Sequence, residues 1–207
     1  MNPENRVDTI PYTPLHTYKD LERKEIAGIG VLLLVINDAG NIYIVEEKNP
    51  TKEGYNIIAE TSKYGEFMAD TVRGALTEEV GVDDQDFRDF QYVPQQSYQG
   101  RLLFPKNGQQ LHADIVVIAY TGNKKKFNSR NEVKGVGFKS LREILDDSDQ
   151  LRPGILPALQ LVSQNNTIPK IMESIKNGRA KLVFIDERLT ADLYFNQRQQ
   201  KPDLLNY

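Results

Sequence analysis

Glu78 and Glu79 stand side by side at the end of a stretch in which Met68, Val72, Leu76 and Val80 recur every four positions. That spacing predicts an amphipathic helix, starting near Phe67 and ending at Val80 or Gly81, with one apolar stripe facing a core. At about 100° per residue both carboxylates fall beside the stripe, and Glu79 edges into it. A carboxylate at the margin of a core is costly unless something neutralises it. A divalent cation does so, because hard ions such as Mg²⁺ take carboxylate oxygens. The alternative is an acidic pair at a helix end that simply faces water. Gly81 follows where a left-handed residue closes a helix and glycine adopts that conformation cheaply.

A second pair of chemically competent residues is His112 and Asp114 in Leu111–Tyr120, LHADIVVIAY. Alternation along a strand puts both on one face. They either line a substrate pocket or form the polar face of an edge strand. Lys124, Lys125 and Lys126 with Arg130 can attract phosphate, but a charge run in a loop is usually a solvated one. Tyr12, Tyr98 and Tyr120 offer rings for stacking, with nothing that singles one out.

The elements that must position these residues are legible on both sides. Gly28–Ile36 is a near-continuous apolar run halted by Asn37-Asp38-Ala39-Gly40, and Asn41–Glu47 alternates, so the two read as a β-hairpin. Tyr55–Glu60 is a short strand leading into the helix. Phe87–Tyr98, interrupted by Pro94, and Arg101–Pro105 read as strands, with a turn at Asn107-Gly108 before Leu111–Tyr120. Asn131–Phe138 is a further strand. Ser140 followed by Glu143 is a capping box, and Gly154–Gln164 is a helix. Thr167 is expected to cap another helix through Asn177, with Gly178 ending it. Lys181–Ile185 is strand-like, and Asp186 opens a last helical pattern.

The 207 residues suffice for one sizeable domain with extensions. Hydrophobic content of 39% and charged content of 27% suit a globular chain rather than a disordered one. A net charge of −3 argues against a nucleic-acid-binding polycation. There is no cysteine, hence no disulfide framework and no thiolate site. The first residues lack the apolar core of a signal peptide, and no run approaches the ~18 apolar residues of a membrane helix. The cytoplasm is the default location, with no membrane partner.

The stretch Glu60–Val82, ETSKYGEFMADTVRGALTEEVGV, resembles the Nudix box, G-x5-E-x7-R-E-U-x-E-E-x-G-U with U a bulky aliphatic residue. Glu66, Leu76, Glu78, Glu79, Gly81 and Val82 fall on its pattern. Glu60, Gly74 and Ala75 depart from it, standing where the box has glycine, arginine and glutamate. The stretch Glu132–Leu145 and the Leu151-Arg152-Pro153 that precedes a helix are also similar to segments that follow the box in Nudix proteins. The resemblance spans roughly Glu25 to Gln164. It implies an α/β (α+β) fold, a Nudix-like α/β/α sandwich around a mixed β-sheet. Residues 1–24 would form an N-terminal arm and 166–207 a C-terminal helical extension packed on the 25–165 domain or on a partner subunit, which would make a homodimer.

The resemblance implies chemistry as well. In Nudix hydrolases the helix carboxylates hold Mg²⁺ or Mn²⁺ against a diphosphate, and water splits a nucleoside diphosphate linked to another moiety. By resemblance Glu78 and Glu79 are the metal ligands, and the partner is a nucleotide-like small molecule. Glu66 would favour the helix start through the dipole, since Gly74 cannot pair with it. On a regular helix position 75 lies about 60° from 78 and about 40° from 79, so Ala75 deletes a carboxylate from their cluster. Hydrolysis is then expected to be slow or absent unless Glu60 or Glu132 supplies a displaced base. The rival expectation is a catalytically impaired module that binds a nucleotide or a protein partner.

Overall fold

A computed structural model of the chain describes residues 8–10, 26–48, 54–62, 68–94, 96–106, 108–123, 127–128 and 133–183. Phe67, Glu66, Glu132, Lys124–Lys126, Arg130, Tyr12 and the last helical pattern after Asp186 lie outside these residues.

The strands in chain order are β1 (Asp8–Ile10), β2 (Ile26–Ile36), β3 (Ile42–Glu47), β4 (Tyr55–Asn56), β5 (Ile58–Thr61), β6 (Phe90–Tyr92), β7 (Tyr98–Lys106), β8 (Gln109–Tyr120), β9 (Val133–Lys139) and β10 (Lys181–Leu182). The helices are α1 (Met68–Ala75), which continues into a π-helical turn at Leu76–Val80, then α2 (Leu141–Asp146), α3 (Ile155–Gln164) and α4 (Thr167–Lys176). All ten strands belong to one mixed sheet.

The apolar runs of β2 and β8 pair in parallel down the middle, from Gly28 beside Leu111 to Ile36 beside Ala119. A strand buried on both faces reads as a continuous apolar run, which is why neither shows clean alternation. β8 also pairs antiparallel with β7 and β6, and β2 with β5. β8 is therefore an interior strand and not the edge strand that its polar face suggests.

The two faces of β2 define the layers. Val31, Leu33 and Val35 pack with Val72, Ala75, Leu76 and Val80 of the α1 segment. Leu32, Leu34 and Ile36 pack with Ile144, Ile155, Leu159, Val162, Ile168 and Ile171 of α2 to α4. The result is the expected α/β/α sandwich around a mixed sheet. Residues of α4 share the core on that side, and β10 pairs with β6.

Several local expectations change in contact with the rest of the chain. The hairpin between β2 and β3 is reduced to one register pair, Ile36 with Ile42. Its turn is held by Asn37 Oδ1, which accepts the N–H groups of Ala39 at 3.0 Å and Asn41 at 2.9 Å. β3 then leaves β2 to pair with β9 and β4, and β5 takes the vacated edge of β2. The strand expected from Phe87 begins as a 3₁₀ turn at Asp84–Asp89. Beyond β6 a bend at Pro94, where no N–H is available for a ladder, is closed by Ser97 Oγ accepting the Val93 N–H at 2.8 Å. Thr167 does not cap α4, because its hydroxyl donates to Gln99 Oε1; Asn166 in the left-handed region precedes the helix instead. Ser140 and Glu143 form the expected capping box, and the Ser140 hydroxyl and N–H hold the Glu143 carboxyl below the usual carboxylate range. Among the described residues no helix is long and apolar enough to cross a membrane.

Candidate active site at the end of helix α1

The site is built where the α1 segment meets β5. Val72, Leu76 and Val80 are buried as their spacing requires. The segment ends at Gly81, with φ 72° and ψ 36°, whose N–H donates to the Leu76 carbonyl. The wider π turn ahead of it spans LTEEV, so the two glutamates sit on an irregular turn rather than on a regular helix. Such turns concentrate at functional positions. Glu78 is exposed and Glu79 half-buried.

Glu79 is fixed from outside its own helix. Its Oε2 accepts the N–H of Ala59 at 3.2 Å. Ala59 lies on β5 opposite Leu32, and its neighbour Glu60 opposite Val31. Glu79 thus binds the residue immediately before Glu60. A second tie, from Thr71 Oγ1 to Ser62 Oγ at 2.9 Å, holds the start of the helix to the end of the same strand. Glu60 is half-buried, and its Oε1 accepts the N–H of Thr61 at 3.0 Å.

The strand itself is held close to β2 by a missing side chain. A Cβ at Gly30 would meet the Glu60 carbonyl oxygen at 2.5 Å, and backbone cannot step aside as a flexible side chain can. Gly30→Ala is expected to push β5 outward and cost about 1–3 kcal/mol, measured by urea denaturation. An unchanged midpoint would mean that β5 does not depend on this close approach.

Ala75, at the position of the missing box carboxylate, is 0% exposed and packs in the core. Gly74 is open, with nothing within 4 Å of an added Cβ. Among the described residues no group of three His, Cys, Asp or Glu side chains is placed to hold a metal ion.

His112 and Asp114 share a face of β8, as alternation requires, but they are 4% and 1% exposed. Asp114 is gripped by Arg101 on β7, whose Nε donates to Oδ1 at 2.6 Å and whose Nη2 donates to Oδ2 at 2.9 Å. Arg101 is itself 0% exposed. This two-pronged pair was not anticipated from sequence, although a lone Arg and a lone Asp in otherwise apolar strands are its trace.

The opposite face of β8 and the line of β5 border a half-open cavity of about 240 Å³. Leu32, Phe104, Leu111, Ala113 and Ile155 give it apolar walls, and Asn56, Ala59, Glu60 and Arg152 complete it near β5. Leu111 and Ala113, not His112 and Asp114, are the residues of β8 that line it. One strand therefore borders both the cavity and the acidic pair.

The α/β/α sandwich around a mixed sheet, with a parallel central strand pair, is a Nudix-like fold. The chain is similar to the Bacillus subtilis pyrophosphohydrolase BsRppH, solved as a mutant, with a TM-score of 0.53 and 16% identity over 78% of this chain and 92% of that one. It is also similar to the MutT protein of Methanosarcina mazei Go1, at 0.49 and 15% over 67% and 94%. A NUDIX hydrolase from Nitrosomonas europaea gives 0.48 and 14% over 67% and 89%. At these identities the likeness is one of fold. No family model and no curated protein sequence matches the chain.

Proposed function

We propose that the protein is a metal-dependent Nudix-type hydrolase that cleaves the diphosphate of a nucleoside-diphosphate-linked substrate. The observation that carries this reading is the Glu79–Ala59 hydrogen bond, which sets the acidic pair against a strand that also walls the cavity. A substrate lying across β5 would place its diphosphate beside Glu78 and Glu79 and its remaining moiety in the cavity. Glu78 and Glu79 would hold Mg²⁺ or Mn²⁺, which screens the diphosphate charge and orients water. Glu60, next in sequence to the residue that Glu79 binds, is the nearest described candidate for the displaced base; Glu132 is the other.

A second reading is favoured by Ala75. With that position in the core and two carboxylates in place of three, the same fold would bind a nucleotide without turning it over. Nucleotide sugars, dinucleotides and nucleoside triphosphates, offered with Mg²⁺ and with Mn²⁺, separate the two. Turnover selects the hydrolase, and saturable binding without turnover selects the module. Glu79→Gln is expected to weaken Mn²⁺ binding by ~10-fold or more, read by calorimetry. An unchanged isotherm would remove the metal from the account.

A further inference from the structure

A single residue out of helical register joins α3 to α4. Asn165, just past α3, keeps right-handed angles of φ −79° and ψ −4°, and its N–H donates to the Leu161 carbonyl at 3.1 Å. Asn166 then lies in the left-handed region, at φ 51° and ψ 40°, and α4 begins at Thr167. Among the described residues it is the one non-glycine with a positive φ. Turning it back to helical angles would run α3 and α4 together as one straight rod.

The contacts that hold α4 and β10 in place reach back across this connection. Ile168 and Ile171 are buried in the core. The Thr167 hydroxyl donates to Gln99 Oε1, and the Ser174 hydroxyl donates to Gln96 Oε1 at 2.9 Å. β10 pairs with β6, Leu182 opposite Gln91, and the Val183 N–H donates to the Phe90 carbonyl at 3.0 Å. A second copy of the chain offers the same sites, so a straight rod would deliver α4 and β10 to it and receive its own in return.

Pro169 stands against the rod. In a continuous helix residue 169 would donate its N–H to the Asn165 carbonyl, but proline has no N–H and its ring clashes with the carbonyl four residues back. In the bent form the same proline sits in the first turn of α4, where an N–H has no helical partner anyway. The Asn165 carbonyl accepts Lys170 Nζ instead, at 2.8 Å, a cation at the end of α3 where the dipole favours one. We infer that Asn166, Pro169 and Lys170 form a corner that keeps α4 and β10 on their own chain, and that without Pro169 these two elements are exchanged with a second copy.

Because the chain has no cysteine, Gln91→Cys with Leu182→Cys reports which chain β10 pairs with. The two positions face each other across adjacent strands, at a separation a disulfide spans. The full chain is refolded from urea at low and at high protein concentration, oxidised, and run on a gel without reductant. With Pro169 in place the bridge is expected to close within one chain. Pro169→Ala should favour the straight connection ~10²-fold, and a reciprocal dimer, which has two, ~10⁴-fold, so that covalent dimers dominate at high concentration. Adding Asn166→Gly should return the bridge to one chain, because glycine takes the left-handed conformation freely and is poor inside a helix. Sedimentation of the cysteine-free variants is the independent check: Pro169→Ala should double in mass relative to the wild type, and Asn166→Gly should undo it. Bridges confined to one chain in Pro169→Ala at every concentration overturn the inference. So do dimers as abundant with Pro169 as without it, and dimers that Asn166→Gly leaves unchanged.

Discussion

Arg101→Met is expected to destabilise the fold by about 3–5 kcal/mol, because it removes the guanidinium that pairs with the buried Asp114 carboxylate. Both side chains are essentially inaccessible, and their two hydrogen bonds pair them across adjacent positions of β7 and β8. Most of the loss is the cost of keeping a carboxylate buried after its guanidinium partner is gone, rather than the strength of the bond. Removing both charges, in Arg101→Met with Asp114→Leu, should therefore return much of the stability. The single variant should also recover as pH falls. Losing the guanidinium disfavours the charged form of the buried Asp114 carboxyl, so the penalty is greatest where that group is ionised and fades as it takes a proton. Urea denaturation of the three proteins across pH checks all of this. A single variant as stable as the wild type would show that Asp114 finds another partner or reaches solvent.

Ala75→Glu is the second large effect. With no accessible surface at Ala75, an ionised side chain there should cost several kcal/mol. The charge part of this penalty should vanish at pH below about 4.3, where the unfolded carboxyl is itself protonated, leaving the cost of fitting a larger side chain into a packed site, and should grow as pH rises. Gly74→Arg should be close to neutral, since the space beside it is open. Mn²⁺ distinguishes the two functional readings. If the new carboxylate reaches an ion held by Glu78 and Glu79, Mn²⁺ will raise the melting temperature of Ala75→Glu more than that of the wild type. If Mn²⁺ leaves both curves where they are, neither protein holds the ion at Glu78 and Glu79.

What the sequence disclosed, and what it hid, follows the range of the interactions. The stripe of Val72, Leu76 and Val80 and the Ser140–Glu143 capping box depend on residues within a turn or two, and both are visible in the order of the chain. The faces of β8 were also readable, because alternation is local. Its place in the interior was not, since its partners β2 and β7 are chosen by the whole sheet. The angular relation of position 75 to the glutamates was drawn on a regular helix, and the π turn at Leu76 breaks that geometry. The link from Glu79 to Ala59 and the grouping of Glu47, Asn56 and Arg152 join distant segments. No spacing rule points to them.

The parallel pairing of β2 with β8 has a consequence for how the chain reaches this state. Parallel neighbours cannot be joined by a tight turn, and here the whole α1 segment, β3 to β7 and the cavity wall intervene. The loop-closure entropy of that long excursion must be met before the contacts at the middle of the sheet return anything, which is the pattern of a slow folder. On a ribosome the β2 run would emerge well before its partner. Until Tyr120 is made, the most apolar segment of the protein has one flank uncovered, and it is in that interval, rather than in the finished molecule, that self-association is the greatest hazard.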